Sequence, residues 1–567
     1  MSSGSPLRAF ERPCAVPSAE RHAAGHGWRR FKRGVFRAGY KVSQGRLLAT
    51  DSLLAASAGV LLALPYNHSE LFLLSWAGFV PLLFALRGKR LAEAYLLGLI
   101  CGLALYGVGA WWIVGFIGQL WAPGPFVTFL LSALFWLYSA QLPAFLALVF
   151  QWLRRRTGWS DLLLFPMLVA LFFGHFPMLF HAQLGESQSL FLTALQAVSL
   201  TGVLGLDALI ALVNVLLFRW LAGQVPAQRD RIGWAAAVLP LAWLAYGLVS
   251  LGLWDARLAE WPTRRVGFVQ ENVPAGVDQR PPAAGYSSSY PRALALSEQL
   301  ADAGAGLVVW PEARFNSYFH EPRVAEAFRR SANRMQAALL FQAMERENHA
   351  HSRSEFNTAV LIDDEGRDQG HYRKTKRVAF GEYLPLLGVF PEARRWVRGE
   401  LGDFFSHVSA GEGPARFPLK GMQVVPLICY EAMFPYFVAD AARGGGPGEL
   451  LVTVSNNAWF GPTQQPFQHL NASVLRAVEN RTPLLHVMNN GPSAVVLPNG
   501  QRLFQSAYGE EAGYWVDIPV AASGVDSLFT RFPWLFRSVL YGALLATLFR
   551  AGWLVPARRA TPTAPAS

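Results

Sequence analysis

Long apolar runs with few charges alternate along this chain with one extended stretch of mixed sequence. Seven such runs fall near 47–66, 71–87, 91–116, 125–152, 161–180, 200–222 and 233–254, and an eighth near 533–555. Each approaches the length a helix needs to cross about 30 Å of hydrocarbon. The mixed stretch, about 262–520, has a different rhythm. Its apolar runs are short: Arg265–Val269, Gly306–Trp310, Ala337–Phe341, Thr358–Ile362, Val424–Ile428, Leu450–Val454, Leu484–Met488 and Ala494–Leu497. Helix-period segments such as Ala293–Ala303 and Phe467–Asn480 lie between several of them. The second carries Leu470, Val474 and Val478 at four-residue spacing, which predicts a helix with one buried face. Strands alternating with helices predict an α/β domain. The pattern as a whole predicts a polytopic α-helical membrane domain of about eight transmembrane helices plus one α/β domain.

Composition agrees with that division and locates the charge. The chain is 52% hydrophobic and 16% charged, with a mean hydropathy of +0.24. The net charge of +12 is concentrated in a basic tail, 1–46, where ten Lys/Arg face two acids, and in short loops. Arg87, Lys89 and Arg90 follow the second run, Arg154, Arg155 and Arg156 the fourth, and Arg219, Arg229 and Arg231 the sixth. Arg550, Arg558 and Arg559 close the chain. The intervening loops 67–70, 119–124 and 181–189 hold no Lys or Arg. By the positive-inside rule both termini are cytoplasmic, and seven crossings put 262–520 on the outer face. Topology explains the basic charge, so no nucleic-acid partner is expected. The tail has no apolar core and does not read as a signal peptide. Its piece Trp28–Tyr40 interleaves aromatics with arginines, as a membrane-surface segment or a plain basic tail would. Three cysteines without regular spacing exclude a disulfide framework and a four-cysteine zinc site.

Candidate chemistry sits at the ends of the apolar runs in 262–520. Gln423–Glu431 is an apolar, β-branched run that stops in Cys429, Tyr430 and Glu431. Leu307–Glu312 stops in Trp310, Pro311 and Glu312, and His371–Glu382 is a charge run containing Lys374 and Glu382. Taken singly, Cys429 is a small apolar cap on a strand, Glu312 a first-turn acid and Lys374 part of a solvated face. Together they form an acyl-transfer apparatus. A carboxylate takes the thiol proton, the thiolate attacks a carbonyl to form a thioester, and a lysine stabilises the oxyanion. Glu382 would hold the lysine in place and charged. This chemistry needs no metal or organic cofactor.

These motifs resemble the Glu-Lys-Cys triad of the nitrilase, or carbon-nitrogen hydrolase, superfamily. The resemblance narrows with Ser455-Asn456-Asn457-Ala458-Trp459-Phe460-Gly461, the helix carrying Gln468-His469 and Arg476, then Arg481 to Pro483, and Asn489-Asn490-Gly491. With Gly107-Val108-Gly109-Ala110-Trp111-Trp112 and the seven-plus-one arrangement of runs, the chain is similar to the apolipoprotein N-acyltransferase family over about 47–555. The spacing to Glu382 in that family selects Lys374 over Lys376. The resemblance implies an αββα four-layer sandwich for 262–520 on the periplasmic face of the bacterial inner membrane. It implies a seven-helix membrane domain over 47–254, an eighth helix over 533–555 and a short cytoplasmic tail, 556–567. It implies Glu312 as base, Lys374 as oxyanion stabiliser and Cys429 as nucleophile. Glu382, Tyr430, Glu431, Trp310, Asn456, Trp459 and Asn490 would support the site or bind substrate.

The implied reaction takes an acyl chain from a phospholipid, phosphatidylethanolamine above all, and delivers it to the α-amine of a diacylated apolipoprotein. The bilayer is then a partner, and we expect a monomer. Four positions depart from the family pattern: Glu271, Gln279, Ala379 and Asn457. They leave open an alternative acceptor, either water, giving a membrane-tethered amidase, or a different amine. Elsewhere plain packing roles are expected. Cys101 packs within the third run, Trp111 and Trp112 sit in an interfacial aromatic belt, and His469 makes structural hydrogen bonds.

Overall fold

The computed structural model describes residues 49–121, 123–224, 231–276, 282–312, 317–349, 352–379, 381–383 and 408–552. The tail 1–46, residues 556–567 and the single positions Arg229, Gln279 and Phe380 lie outside the described residues.

Among the described residues, five helices are long and apolar enough to cross a membrane: Ala49–Asn67, Leu91–Gly109, Pro125–Thr157, Val203–Leu221 and Ile232–Ala259. The other three apolar runs fold as shorter helices, and prolines account for two of these departures. The fifth run forms a helix over Asp161–His175 only. Phe176 precedes Pro177 and is extended (φ −61°, ψ 134°), as a residue before proline prefers. The second run breaks into a 3₁₀ segment, Ser69–Trp76, and a short helix, Val80–Ala85, with Pro81 in its first turn. The eighth is Trp534–Arg550. Pro125–Thr157 is itself interrupted at Ala140. There Pro143 lacks the N–H that would bond the Ser139 carbonyl. Small residues let the helices approach closely. A Cβ added at Gly59 would lie 2.1 Å from the Cys101 carbonyl oxygen, and one at Gly98 would lie 2.3 Å from that of Pro143. Cys101 is buried at that crossing, as expected.

Two six-stranded sheets form the α/β body. The strands are β1 (Thr263–Gln270), β2 (Leu307–Val309), β3 (Ala338–His349), β4 (Ser352–Ile362), β5 (Asp368–Arg373), β6 (Phe417–Leu419), β7 (Met422–Ile428), β8 (Glu449–Ser455), β9 (Leu484–Met488), β10 (Ala494–Val496), β11 (Arg502–Gln505) and β12 (Ala512–Pro519). The sheet orders are β12-β1-β2-β3-β4-β5 and β11-β10-β9-β8-β7-β6. Side-chain alternation decides what each face meets. In the first sheet Val266, Phe268, Leu307, Val309, Leu340, Ala359 and Leu361 join the core shared with the second sheet. Their neighbours Val269, Val308, Leu339, Phe341, Val360 and Ile362 pack outward with the helices Arg292–Asp302 and Pro322–Met335. The helices Pro435–Ala442 and Gln465–Asn480 cover the second sheet. The four layers are helix, sheet, sheet and helix.

The helix Gln465–Asn480 is also the seam to the membrane body. The single buried face predicted for it is wrong, since every residue from His469 to Asn480 is buried. Its far side meets the membrane body through polar contacts rather than solvent. Ser189 Oγ donates to Asn471 Oδ1 (2.7 Å), Asn471 Nδ2 donates to Ser69 Oγ (3.0 Å), and the Val203 N–H donates to Glu479 Oε1 (2.8 Å). Arg476 Nε pairs with Glu479 Oε2 at 2.7 Å, both side chains fully buried. Removing one partner of such a pair strands the other's charge. Arg476→Met is therefore expected to cost about 3–5 kcal/mol, measured as lowered thermal stability of the detergent-solubilised protein.

Candidate active site

Cys429 stands at the carboxyl end of β7, where the strand turns into a 3₁₀ segment, Cys429–Met433. Its φ of 54° lies in the left-handed region, which costs a residue with a Cβ roughly 1–2 kcal/mol. Hydrogen bonds on both sides hold that turn. His469 Nε2 donates to the Cys429 carbonyl at 3.1 Å, and the Ile428 N–H donates to Glu431 Oε2 at 2.8 Å. Burial pushes the His469 imidazole down to about 4, so the ring is neutral at physiological pH.

Lys374 follows the last residue of β5 and is 1% exposed. Its Nζ donates to Glu382 Oε1 at 2.9 Å and lies 3.9 Å from Glu312 Oε1. Asn357 Nδ2 bridges the two acids, donating to Glu312 Oε1 (2.6 Å) and Glu382 Oε1 (3.3 Å). The remaining carboxylate oxygens meet backbone donors, Asn456 N to Glu312 Oε2 (3.2 Å) and Val378 N to Glu382 Oε2 (2.9 Å). Burial works to discharge the lysine, but Glu382, Cys429 and Glu312 outweigh it and hold the ammonium charged. Burial likewise works to raise Glu382, and Lys374 overcomes it and keeps the carboxylate ionised. The thiol goes the other way. Burial, reinforced by the charge of Glu312, pushes Cys429 up to about 12 against the pull of Lys374. Cys429 is therefore held as a thiol.

Glu431 ties the strand that ends at Cys429 to the loop that follows Lys374. Besides Ile428 N–H, it accepts from Tyr372 OH (2.7 and 2.8 Å), Thr375 N (2.7 Å) and Lys376 N (3.0 Å). Tyr430 ties the same turn to the membrane body. Its hydroxyl donates to the Leu179 carbonyl (3.1 Å) and accepts from the His181 N–H (3.0 Å).

The other predicted residues distribute differently. Asn456 braces Glu312, and its Oδ1 accepts from Ala458 N (3.1 Å) and Asn489 Nδ2 (2.9 Å). Trp459 is partly buried in the 3₁₀ turn Asn457–Phe460 that follows β8. Asn490 lies one step further out, donating to Asn272 Oδ1 at 2.9 Å. Trp310 is a correction. Its indole lies in the outer core with Phe328 and Phe341 at 5.4 and 5.6 Å, and Nε1 donates to Ser297 Oγ. Strand parity puts it on the helix side with Val308, away from Cys429. One contributor was missed. Asn357 shares the inward parity of Ala359 and Leu361, and a polar residue at such a core position was its signal. His469 makes a structural hydrogen bond, as expected, and its acceptor is the Cys429 carbonyl.

Cys429 opens into a cleft of about 90 Å³ that continues into the membrane body. Tyr106, Trp112, Phe135, Phe180 and Phe460 line it together with Cys429, Tyr430 and His469. Trp112 belongs here rather than in an interfacial belt: it is 7% exposed, and its Nε1 donates to Gln468 Oε1 at 3.0 Å. Trp111 points outward and stacks on Trp136 at 5.3 Å.

A two-sheet sandwich with cysteine, lysine and glutamate at its strand ends, set on apolar helices, defines a membrane-anchored enzyme of the carbon-nitrogen hydrolase class. The carbon-nitrogen hydrolase family model matches residues 275–523, and that of the apolipoprotein N-acyltransferase N-terminal domain matches 58–216. An apolipoprotein N-acyltransferase of Geobacter metallireducens is 32% identical over 483 residues, 81% of this chain and 88% of its own. One of Pseudomonas putida is 31% identical over 481 residues, 81% and 87% of the two chains. Among solved structures, a nitrilase-superfamily amidase from Nesterenkonia AN1 aligns with 49% of this chain and 97% of its own, at 22% identity and a TM-score of 0.35. The chain belongs to the apolipoprotein N-acyltransferase family.

Asn357 is the residue whose loss should isolate the geometry of the cluster. Asn357→Ala removes the donor that aims Glu312, and the rate of Cys429 acylation is expected to fall about 100-fold. Single-turnover kinetics with saturating donor would measure it.

Proposed function

We propose that this acyltransferase works through a thioester on Cys429, with Glu312 as general base and Lys374 as oxyanion stabiliser. Its role in lipoprotein N-acylation follows from the family to which it belongs. The observation that carries the mechanism is the continuity of Cys429 with an aromatic cleft reaching into the membrane body. A thiol meant for a soluble amide needs no such cleft, whereas a lipid acyl chain does.

In the first half-reaction Glu312 takes the thiol proton as Sγ attacks the ester carbonyl of a phospholipid, the sn-1 ester of phosphatidylethanolamine in this reading. Negative charge develops on the carbonyl oxygen beside Lys374, whose ammonium is already fixed by Glu382 and needs no reorganisation. Collapse breaks the C–O bond, Glu312 returns the proton to the departing glycerol oxygen, and a lysophospholipid leaves. In the second half-reaction the α-amine of a diacylglyceryl-cysteine attacks the thioester. Glu312 accepts a proton from the nitrogen, the C–S bond breaks, and the proton passes to the thiolate. The products are the amide and the resting thiol. Glu431 and Tyr430 act by positioning, Asn456 by bracing the base.

In this reading 47–254 houses the lipid chains, the helix Trp534–Arg550 in the segment 533–555 closes the membrane domain, and 262–520 carries the chemistry. The loop charges support an inner-membrane protein with cytoplasmic termini and a periplasmic catalytic domain.

Acyl-enzyme trapping tests the proposal. Purified protein incubated with phosphatidylethanolamine labelled in the sn-1 chain is expected to gain one acyl mass, lost in neutral hydroxylamine and absent from Cys429→Ala. Glu312→Gln is expected to slow its formation about 10²–10⁴-fold. A wild-type protein that never acquires the label, but hydrolyses simple amides, would move the assignment to an amidase.

A further inference from the structure

Beside the aromatic cleft lies a second, more open one of about 310 Å³ that the steps above leave unused. The two share Met178, His181 and Tyr430, so they meet next to the nucleophile. Their linings differ in chemistry. Aromatic rings dominate the first, whereas Thr375, Lys376 and Arg377 line the second. Lys376 Nζ sits 5.5 and 5.9 Å from the ring centres of Phe437 and Phe434. The Arg377 guanidinium lies 4.6 Å over Tyr383, and its Nη1 donates to the Val408 carbonyl at 2.8 Å. Among the described residues no carboxylate pairs with either side chain. A partly desolvated cation facing aromatic rings keeps its charge available to an anion.

These two cations also have a fixed relation to the chemistry. They lie two and three residues after Lys374 in the chain, and Glu431 holds the backbone N–H groups of Thr375 and Lys376 against the turn of Cys429. An anion bound by them is therefore placed relative to the nucleophile by the same clamp that places the lysine of the triad.

We propose that this second cleft receives the phosphodiester of the donor lipid, with Lys376 and Arg377 binding its free oxygens while the acyl chain fills the aromatic cleft. The inference rests on the thioester reading above and adds a donor subsite to it. In a glycerophospholipid only the glycerol unit separates the reacting ester from the phosphate. A lipid whose carbonyl lies at Cys429 must set its phosphate a short way off, and the shared wall of Met178, His181 and Tyr430 leads from one cleft to the other. Charge-assisted hydrogen bonds from an ammonium and a guanidinium suit a phosphate. Such a subsite selects phospholipids over neutral glycerides and reads the phosphate rather than the group beyond it.

The test compares wild type with a Lys376→Ala, Arg377→Ala double variant in acylation of Cys429 by three donors. These are phosphatidylethanolamine, the diacylglycerol with the same chains, and a water-soluble nitrophenyl ester. Wild type is expected to prefer the phospholipid. In the variant the phospholipid KM should rise at least about 10-fold, with kcat changed less, and the preference over diacylglycerol should vanish. Acylation by the nitrophenyl ester reports that the triad and fold are intact. Inorganic phosphate, added as a competitor, should inhibit the phospholipid reaction in wild type and not in the variant. An unchanged phospholipid KM, or phosphate inhibition that leaves the choice between lipids untouched, would overturn the subsite. If wild type takes acyl groups only from the nitrophenyl ester, the thioester reading of the lipid donor fails first, and the two failures are told apart.

Discussion

A lysine ammonium at 1% exposure is the constraint from which the rest of the site follows. A buried, unpaired charge is far too costly to persist, so Lys374 requires Glu382 at 2.9 Å. Two further demands come with that pair. Glu382 must be anchored, and the Val378 N–H and Asn357 amide do so. Glu312, 3.9 Å from the same ammonium, must be held apart from Glu382, and the shared Asn357 amide and the Asn456 N–H fix it there. The outcome is one cation between two acids beside a thiol, in which Lys374 and Glu382 hold each other charged while burial keeps Cys429 protonated.

The second organising feature is the helix Gln465–Asn480, which belongs to both bodies at once. One side covers the second sheet, and the other meets the membrane body through Asn471, Glu479 and Gln468. Because His469 on this helix bonds the Cys429 carbonyl, the backbone at Cys429 is referenced to the membrane body as well as to its own strand. Tyr430 repeats the connection from the other side through Leu179 and His181. The cleft at Cys429 is thus walled by residues hydrogen-bonded to both bodies.

Much of this was legible in the chain, for identifiable reasons. The apolar runs ending in Glu312 and in Cys429 could be read because a strand's hydrophobic pattern stops where its polar cargo begins. Lys374 could not be chosen over Lys376 on spacing alone, and only the family resemblance separated them. Trp310 came in with the resemblance as part of the motif that ends in Glu312, while a period of two sends neighbours in a strand to opposite faces. Asn357 could have been found by the same parity. The helix ends at Ala140 and His175 were lost inside unbroken apolar runs, although Pro143 and Pro177 marked them. Burial of the seam helix on both sides was not legible at all, because periodicity reports a helix's contrast with water and this helix meets none.

The measurement closest to the central claim is the protonation state of Cys429 itself. Infrared difference spectroscopy of wild type minus Cys429→Ser would report the S–H stretch of this one residue without needing a substrate. The account predicts an S–H band that is present at pH 7 and persists to pH 9, because burial and Glu312 push the thiol up to about 12. A band missing at pH 7 would mean a preformed thiolate–lysine pair, and would contradict the role given to Glu312.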